Sequence, residues 1–304
     1  MRALVTGATG FLGRRLLNSL TRPVVLSRDP ERARRALGEA AQPFGWKPEA
    51  EPPPAEAFRG VEAVFHLAGE PVAEGRWTAA KKERIRQSRV RGTRNLVTAI
   101  ESLPERPRLL VSVSAVGFYG DRGEEVLEET AGPGSDFLAQ VSREWEAEAG
   151  RASSLGVRVV TPRIGIVLGQ GGGALAKMLT PFKLGLGGRL GSGRQWMPWI
   201  HLDDVVGLML HAAEKNEISG AMNTVSPTAV TNSEFTRTLA SVLRRPAIFP
   251  VPALAIRLAF GEMAEVLLAS QRVVPRVAEK TGYRFRYPGL AEALRAATGR
   301  PMAA

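Results

Sequence analysis

The earliest residues in the chain that could hold a ligand are three evenly spaced glycines, Gly7, Gly10 and Gly13. They lie in the segment GATGFLG, between a short apolar run at residues 3–6 and a stretch with leucines at helical spacing. A glycine turn between a buried strand and a helix leaves backbone N–H groups with partial positive charge at the helix start. We expect Gly7 to allow the turn, Gly10 the approach of a ligand and Gly13 close helix–strand packing. The segment predicts a pyrophosphate site, with a glycine-rich turn without a ligand as the alternative.

The end of the second predicted strand, in PVVLSRD, bears on which dinucleotide would be bound. In a doubly wound sheet this position contacts the adenosine ribose, where an acidic side chain binds a 2′-hydroxyl and an arginine pairs with a 2′-phosphate. The sequence supplies both, as Arg28 and Asp29. Because Asp29 precedes Pro30 as a helix N-cap would, we predict that Ser27 and Arg28 take the phosphate. The predicted cofactor is NADP(H), with NAD(H) as the second choice.

Length and composition describe a folded chain without thiol or metal chemistry. Its 304 residues, 44% of them hydrophobic, suffice for a sizeable core. It has no cysteine and only three scattered histidines, so we predict no disulfide and no metal site. The first strand begins almost at Met1 and no apolar stretch is long enough to span a membrane, so we expect no leader, no membrane partner and a cytoplasmic location.

The net charge of +11 raises the question of a nucleic-acid partner. The arginines are spread over many segments without a recognition motif, and the densest cluster, at residues 31–41, also contains glutamates and predicts an exposed helix. We therefore expect no nucleic-acid partner.

Predicted strands and helices alternate through the first two thirds of the chain, which predicts an α/β fold with a doubly wound parallel sheet. Residues 1–165 form the predicted dinucleotide-binding domain. After Gly169 the sequence becomes rich in glycine, and residues 166–304 are predicted to form mainly a smaller substrate-binding lobe, with some segments returning to the sheet. Its predicted elements include helices at 232–243 and 253–269 and a strand at 247–251.

Several segments together resemble the extended short-chain dehydrogenase/reductase superfamily: GATGFLG, HLAG, the Gly92 and Thr93 pair, SVSAVGFYG, PRIGIVLG and WIHLDDVV. Others, above all PFKLGLGGRLGSGRQWMPWIHLDD and YRFRYPGLAEAL, are similar to its epimerase-like family of atypical members, the SDR39U1 or YfcH-like family related to NAD-dependent epimerases and dehydratases. The match spans nearly the whole chain. It implies a Rossmann-type domain that binds NADP(H), with Ser114 in the position of the superfamily's catalytic serine.

The cofactor site predicted from these patterns and from the resemblance draws on five predicted strands. Its residues are Gly7, Thr9, Gly10, Phe11, Leu12, Gly13, Ser27, Arg28, Leu67, Ala68, Gly69, Ser114 and Arg163.

The superfamily's proton-transfer pair, a tyrosine and a lysine one helical turn apart, is absent from this chain. There the lysine lowers the pKa of the phenol. No tyrosine here has a lysine four residues later; on the matching helix Leu138 takes the tyrosine position and Ser142 the lysine position. Leucine cannot exchange a proton, so the usual tyrosine-dependent oxidation or epimerisation is in doubt. Arg89 stands where the superfamily usually has asparagine.

A substitute for the missing phenol is predicted around Ser114, which can hydrogen-bond a carbonyl oxygen. We predict Ser114, Tyr119 and Arg89 as the catalytic residues, with the proton supplied by Tyr119 or by a water that Ser114 holds, and with Arg89 lowering the relevant pKa by its charge. In the alternative, Tyr119 packs as a turn aromatic and Ser114 bonds the backbone.

For the other polar residues that could do chemistry, the sequence favours a structural role. Asp203 and Asp204 follow His201 and suit the cap and first turn of a helix better than acid–base chemistry. His66, inside an apolar strand, is expected to be a core histidine with satisfied hydrogen bonds.

The predicted substrate contacts are Phe118, Arg194 and Trp196, which suit a small carbonyl or sugar-nucleotide-like molecule with an apolar part. The leading hypothesis is an NADP(H)-dependent oxidoreductase or epimerase-like enzyme. The alternative is a catalytically silent NADP(H)-binding sensor or regulatory protein. The only partner expected is a small-molecule substrate; a homodimer stays open.

Overall fold

The computed structural model describes residues 1–38 and 41–300. Residues 39 and 40, within the predicted exposed helix, and residues 301–304, at the end of the predicted second lobe, lie outside these ranges. The strands are β1 Ala3–Thr6, β2 Val24–Ser27, β3 Gln42–Gly45, β4 Ala63–His66, β5 Leu109–Ser112, β6 Ser114–Ala115, β7 Val126–Leu127, β8 Arg158–Ile164, β9 Ile166–Leu168, β10 Trp196–Met197, β11 Trp199–His201, β12 Gly220–Thr224, β13 Val230–Thr231 and β14 Arg272–Val273.

The helices in the same ranges are α1 Phe11–Leu17, α2 Pro30–Leu37, α3 Ala79–Ser102, α4 Phe137–Gly150, α5 Gly173–Lys183, α6 Leu202–Glu214, α7 Asn232–Leu243, α8 Ala253–Phe260, α9 Ala264–Leu268, α10 Arg276–Lys280 and α11 Leu290–Thr298.

The main sheet is parallel throughout, in the order β12-β8-β5-β4-β1-β2-β3, with β6 continuing beside β8. This order reverses next to β1, so the crevice at the carboxyl ends of β1 and β4 is the place where a Rossmann-type sheet binds its ligand. The predicted α/β class is confirmed. Two segments from beyond residue 165, α6 and β12, belong to this sheet and its helical layer.

The core divides into two apolar layers because successive strand residues point to opposite faces. Leu4, Val64 and Leu110 pack with the apolar side of α3, and Val5 and Phe65 pack with α1 and α6. A third apolar cluster joins α5, α7 and α11, all within the residues predicted to form the second lobe.

Two predicted elements of the second lobe are wrong. Residues 247–251 form no strand; only Val251 makes a single bridge, to Leu190. Prolines at 246, 250 and 252 remove the backbone donors that a ladder needs. The helix predicted at 253–269 breaks into α8 and α9 around Gly261, whose φ of +59° is unfavourable for other residues.

Two kinds of feature are absent from the part of the chain that the structure describes. No helix there is long and apolar enough to cross a bilayer. No group of three or more histidine, aspartate or glutamate side chains there could hold a metal ion.

Candidate cofactor and active site

The glycine turn between β1 and α1 packs too closely for side chains at two positions. Gly7 has φ +67°, and a Cβ there would lie 2.9 Å from the Ala68 nitrogen. A Cβ at Gly13 would lie 2.3 Å from the Gly7 carbonyl oxygen. These contacts are the tight turn and close helix–strand approach that the spacing predicts. Gly10 is the N-cap residue of α1.

The end of β4 is fastened to this turn through Thr6. The Thr6 Oγ1 accepts hydrogen bonds from the backbone nitrogens of Leu67, at 3.1 Å, and Ala68, at 3.0 Å. The turn and the predicted cofactor residues Leu67, Ala68 and Gly69 therefore form one surface at the sheet's carboxyl edge.

His66 lies below this surface and is a fully buried structural residue, as expected. Because Thr6 already accepts two N–H groups, its hydroxyl donates to His66 Nδ1 at 2.8 Å, and His66 Nε2 donates to Thr93 at 2.9 Å. Burial lowers the pKa of His66 to about 4. The imidazole is therefore neutral at pH 7 and both ring nitrogens are used.

The second strand ends as the residue pattern predicts. Asp29 caps α2 by accepting from the Arg32 nitrogen at 2.9 Å, and Ser27 Oγ donates to the Asp29 carbonyl at 3.0 Å. Arg28 is exposed, and no ion pair engages it among the described residues. Lys47, also exposed, follows the end of the neighbouring strand β3. Asp29 is thus committed to the helix, while Arg28 faces solvent.

Helix α3 holds the segment after Gly69. The Glu70 carboxylate pairs with Lys81 at 2.7 Å, and the Glu70 nitrogen donates to Ser88. Arg89 donates to the Glu70 carbonyl at 3.0 Å, and a Cβ at Gly69 would lie 3.3 Å from its guanidinium carbon. Burial lowers the pKa of Arg89 to about 10, so it remains a cation at neutral pH.

Ser114 belongs to a cluster of polar side chains beneath α4. Its hydroxyl donates to Glu146 Oε1 at 2.7 Å. Arg163, at the paired position of β8, donates two hydrogen bonds to the same carboxylate, from Nε at 3.0 Å and from Nη2 at 2.8 Å. Burial opposes the charge on Arg163, but its hydrogen bonds and charge pairing with Glu146 outweigh burial and raise its pKa.

Tyr119 joins this cluster from the opposite side and is fully buried. Its phenol donates to Asn223 Oδ1 at 2.6 Å and accepts from Arg163 Nη1 at 3.0 Å. Burial raises the pKa of Tyr119, against the opposing influence of Arg163. These contacts match the packing alternative for Tyr119. Phe118 is buried as well, with the Arg163 guanidinium 3.5 Å from its ring centroid.

The predicted site residues fall into three places. Ser114, Tyr119, Phe118 and Arg163 share the cluster beneath α4, and Arg89 lies beside Gly69. Trp196 is in the second lobe, where its Nε1 donates to Glu124 at 2.7 Å and Arg272 stacks on its ring. Arg194 is exposed nearby. No hydrogen bond within the described ranges joins Arg194 or Trp196 to Ser114.

Sequence reasoning missed Glu146, the residue that organises the cluster. It lies on α4 one turn beyond Ser142 and two turns beyond Leu138, so helical spacing of 138, 142 and 146 was the available signal. Leu138 itself packs close to Gly117: a Cβ at that glycine would lie 3.4 Å from the Leu138 Cβ. The usual tyrosine position is therefore filled by an apolar contact.

The residues after His201 are structural, but the cap is His201 itself. Its Nδ1 accepts from the Asp203 nitrogen at 3.1 Å, whereas Asp203 and Asp204 lie in the first turn of α6. Buried Asp204 accepts from the backbone nitrogens of Arg286, at 2.6 Å, and Tyr287, at 2.9 Å. These bonds hold the segment at residues 286–287 against the first turn of α6.

The sheet order and glycine turn define a dinucleotide-binding protein of the Rossmann type. The model of the NAD dependent epimerase/dehydratase family matches residues 3–225, and the chain belongs to this family. A domain of unknown function, DUF1731, matches residues 251–297.

Individual relatives match along almost the entire chain. The chloroplastic SDR39U1 homolog of Arabidopsis thaliana is 41% identical over 97% of this chain and 86% of the relative. The epimerase family protein SDR39U1 of Homo sapiens is 38% identical over 97% and 99%, respectively. The crystal structure of human SDR39U1 isoform 2 with NADPH superposes with a TM-score of 0.88 at 35% identity, covering 98% of this chain and 99% of that one.

Proposed function

We propose that this chain binds NADP(H) in the crevice between the glycine turn and the end of β4. The observation that carries the proposal lies directly after β2: Asp29 is the N-cap of α2, whereas the Arg28 side chain is exposed to solvent. The Asp29 carboxylate already accepts the cap bond on Oδ1, whereas the exposed Arg28 guanidinium makes no ion pair among the described residues and can pair with a 2′-phosphate. The NADPH in the human relative's crystal structure supports the same choice.

The cofactor assignment is tested with Arg28→Ala. The loss of a charged hydrogen-bonding partner, about 1.5–3 kcal/mol, should weaken NADPH binding roughly 10- to 100-fold and leave NADH binding unchanged. Arg32→Ala, which removes an exposed arginine in the first turn of α2, is the matched control and should bind both as the parent does. Equal losses for NADPH and NADH in Arg28→Ala would place the 2′-phosphate elsewhere.

We propose that the chain is an oxidoreductase or epimerase-like enzyme for a small carbonyl or sugar-nucleotide-like substrate. The cofactor would supply or accept a hydride. Ser114 would contact the reacting oxygen: its hydrogen now goes to Glu146, and Glu146 keeps two bonds from Arg163 if Ser114 turns toward a substrate. A water held by Ser114 would supply the proton. Tyr119 has a positioning role through Arg163, and Arg89 contributes fixed positive charge beside Gly69.

The predicted substrate contacts remain Phe118, Arg194 and Trp196. Of these, Phe118 would act only from beneath Arg163, because its ring is buried. Arg194 and Trp196 would approach from the second lobe. A cytoplasmic location is likewise part of the proposal, although the name of the Arabidopsis relative places that protein in the chloroplast.

Turnover is tested by deuterium transfer from 4-deuterated NADPH, in both stereoisomers, to a small-metabolite extract. Label should appear in a product only with the protein present, and Ser114→Ala should abolish it while NADPH binding persists. Ser112→Ala is the matched control, since Ser112 is a buried serine two residues away without a hydrogen-bond partner. Unchanged transfer in Ser114→Ala would remove Ser114 from the mechanism.

A silent NADP(H) sensor is the second candidate, favoured by Leu138 in the tyrosine position and by the engaged hydroxyl of Ser114. Absence of label transfer in samples with confirmed NADPH binding would favour this candidate. A second observation would distinguish a sensor from an enzyme: NADPH would change the rate at which a protease cleaves the second lobe, and the NADPH would not be consumed.

A further inference from the structure

The second lobe exposes an unusual number of large apolar side chains. Six of these side chains are between 59% and 73% exposed. They are Leu184, Leu186, Ile248, Phe249, Leu254 and Leu258. We call the surface that they form, together with the cations described below, the apolar–basic face.

Backbone contacts place the segments that carry these exposed side chains next to one another. The segments 184–191 and 246–253 run side by side: the Val251 nitrogen donates to the Arg189 carbonyl at 2.9 Å, and the Gly191 nitrogen donates to the Val251 carbonyl at 2.8 Å. Helix α8 begins directly after this pair and presents Leu254 and Leu258 one turn apart. The face therefore comprises two adjacent loops and one helix.

Unpaired cations lie among these apolar side chains. The segments 183–190 and 244–260 contain no aspartate or glutamate. They contain five exposed basic residues, and none of these makes an ion pair within the described part of the chain: Lys183, Arg189, Arg244, Arg245 and Arg257. The charge of the face is thus positive throughout.

We propose that the apolar–basic face docks on an anionic lipid bilayer. Leucine and phenylalanine side chains would enter the headgroup region, and the cations beside them would meet lipid phosphates. A second copy of this chain is a poor occupant, because a two-fold contact would bring the same five cations against each other. The lack of a membrane-spanning apolar stretch leads us to expect no membrane partner; the proximity of these apolar and basic residues becomes visible only in the folded chain.

Docking is tested by co-sedimentation of the full chain with phosphatidylcholine vesicles, with and without phosphatidylglycerol. We expect binding only to the vesicles that contain phosphatidylglycerol, and loss of that binding at high salt. The double variant Phe249→Ser/Leu258→Ser should not sediment. Arg257→Ala should weaken binding about fivefold, the effect of one interfacial cation.

Matched controls separate docking from general surface effects. Val126→Ser removes an exposed apolar side chain from β7, and Arg91→Ala removes an exposed helical cation from α3; both should bind as the parent does. Absence of sedimentation, or equal losses in the controls, would overturn the proposal. So would a dimer, measured by light scattering, that Phe249→Ser/Leu258→Ser dissociates, because the face would then bind a second copy. NADPH binding by each variant reports that it is folded.

Discussion

Removing the charge of Glu146 should destabilise the fold far more than the same change two residues away. The Arg163 and Glu146 side chains are only 6% and 14% exposed and make two direct bonds. Breaking such a pair costs about 3–5 kcal/mol, because the remaining charge is buried without its partner. In Glu146→Gln one acceptor oxygen remains, and Arg163 keeps its bonds to Tyr119 and Glu129. We therefore expect Glu146→Gln to lower the free energy of unfolding by the lower end of this range, about 3 kcal/mol.

Glu148→Gln is the matched control because Glu148 lies on the same helix and likewise accepts hydrogen bonds from arginine side chains. Its partners Arg94 and Arg151 are 54% and 46% exposed, so the change should cost about 0–1 kcal/mol. Urea unfolding followed by circular dichroism measures both variants, and Glu146→Gln should lower the midpoint by about 1 M at an unchanged slope. Equal midpoints for Glu146→Gln and Glu148→Gln would refute the buried-pair reasoning.

Two further predictions concern the residues around the cofactor crevice. Because His66 is neutral in the fold with a pKa of about 4, while an unfolded histidine titrates near 6.5, the free energy of unfolding should fall as pH decreases through this window, by up to about 3 kcal/mol. His66→Asn should flatten that dependence between pH 7 and 5; an unchanged slope would assign it to other groups. Gly13→Ala should abolish NADPH binding, because its Cβ would lie 2.3 Å from the Gly7 carbonyl oxygen, whereas Gly132→Ala meets no atom within 4 Å and should bind normally. Isothermal titration distinguishes them, and near-parental affinity in Gly13→Ala would contradict the packing argument.

The features that the sequence predicts well are those that depend on residues close together in the chain. The close contact of Gly13 with the Gly7 carbonyl and the Asp29 cap before Pro30 each depend on residues within one strand–helix junction, and both occur as predicted. Helix α3 carries apolar residues at helical spacing, with Ile85, Leu96 and Ile100 buried, and forms one continuous helix. Local geometry alone decides such elements, so the pattern is sufficient.

The cluster beneath α4 could not be predicted in the same way. Glu146 and Arg163 belong to a helix and a strand, and their pairing depends on how α4 lies across β8. The position of Tyr119 has the same origin, since its partner Asn223 is 104 residues distant in the chain. A phenol near the strand end was predicted as a proton donor from proximity in sequence; its complete burial became apparent only in the folded chain.

The glycine-rich segment after β9 shows how one pattern can have a different physical cause from the one inferred. Its composition predicts the start of a substrate-binding lobe, yet three of its glycines lie where a Cβ would contact the ring of Phe11. A Cβ would lie 2.8 Å from the ring at Gly169, 2.5 Å at Gly172 and 3.1 Å at Gly173. Because Phe11 is the first residue of α1, directly after the cofactor turn, this contact joins the turn to the start of α5. The position of α5 therefore depends on the position of α1, and a larger side chain at Gly172 would have to displace the residue that directly follows the cofactor turn.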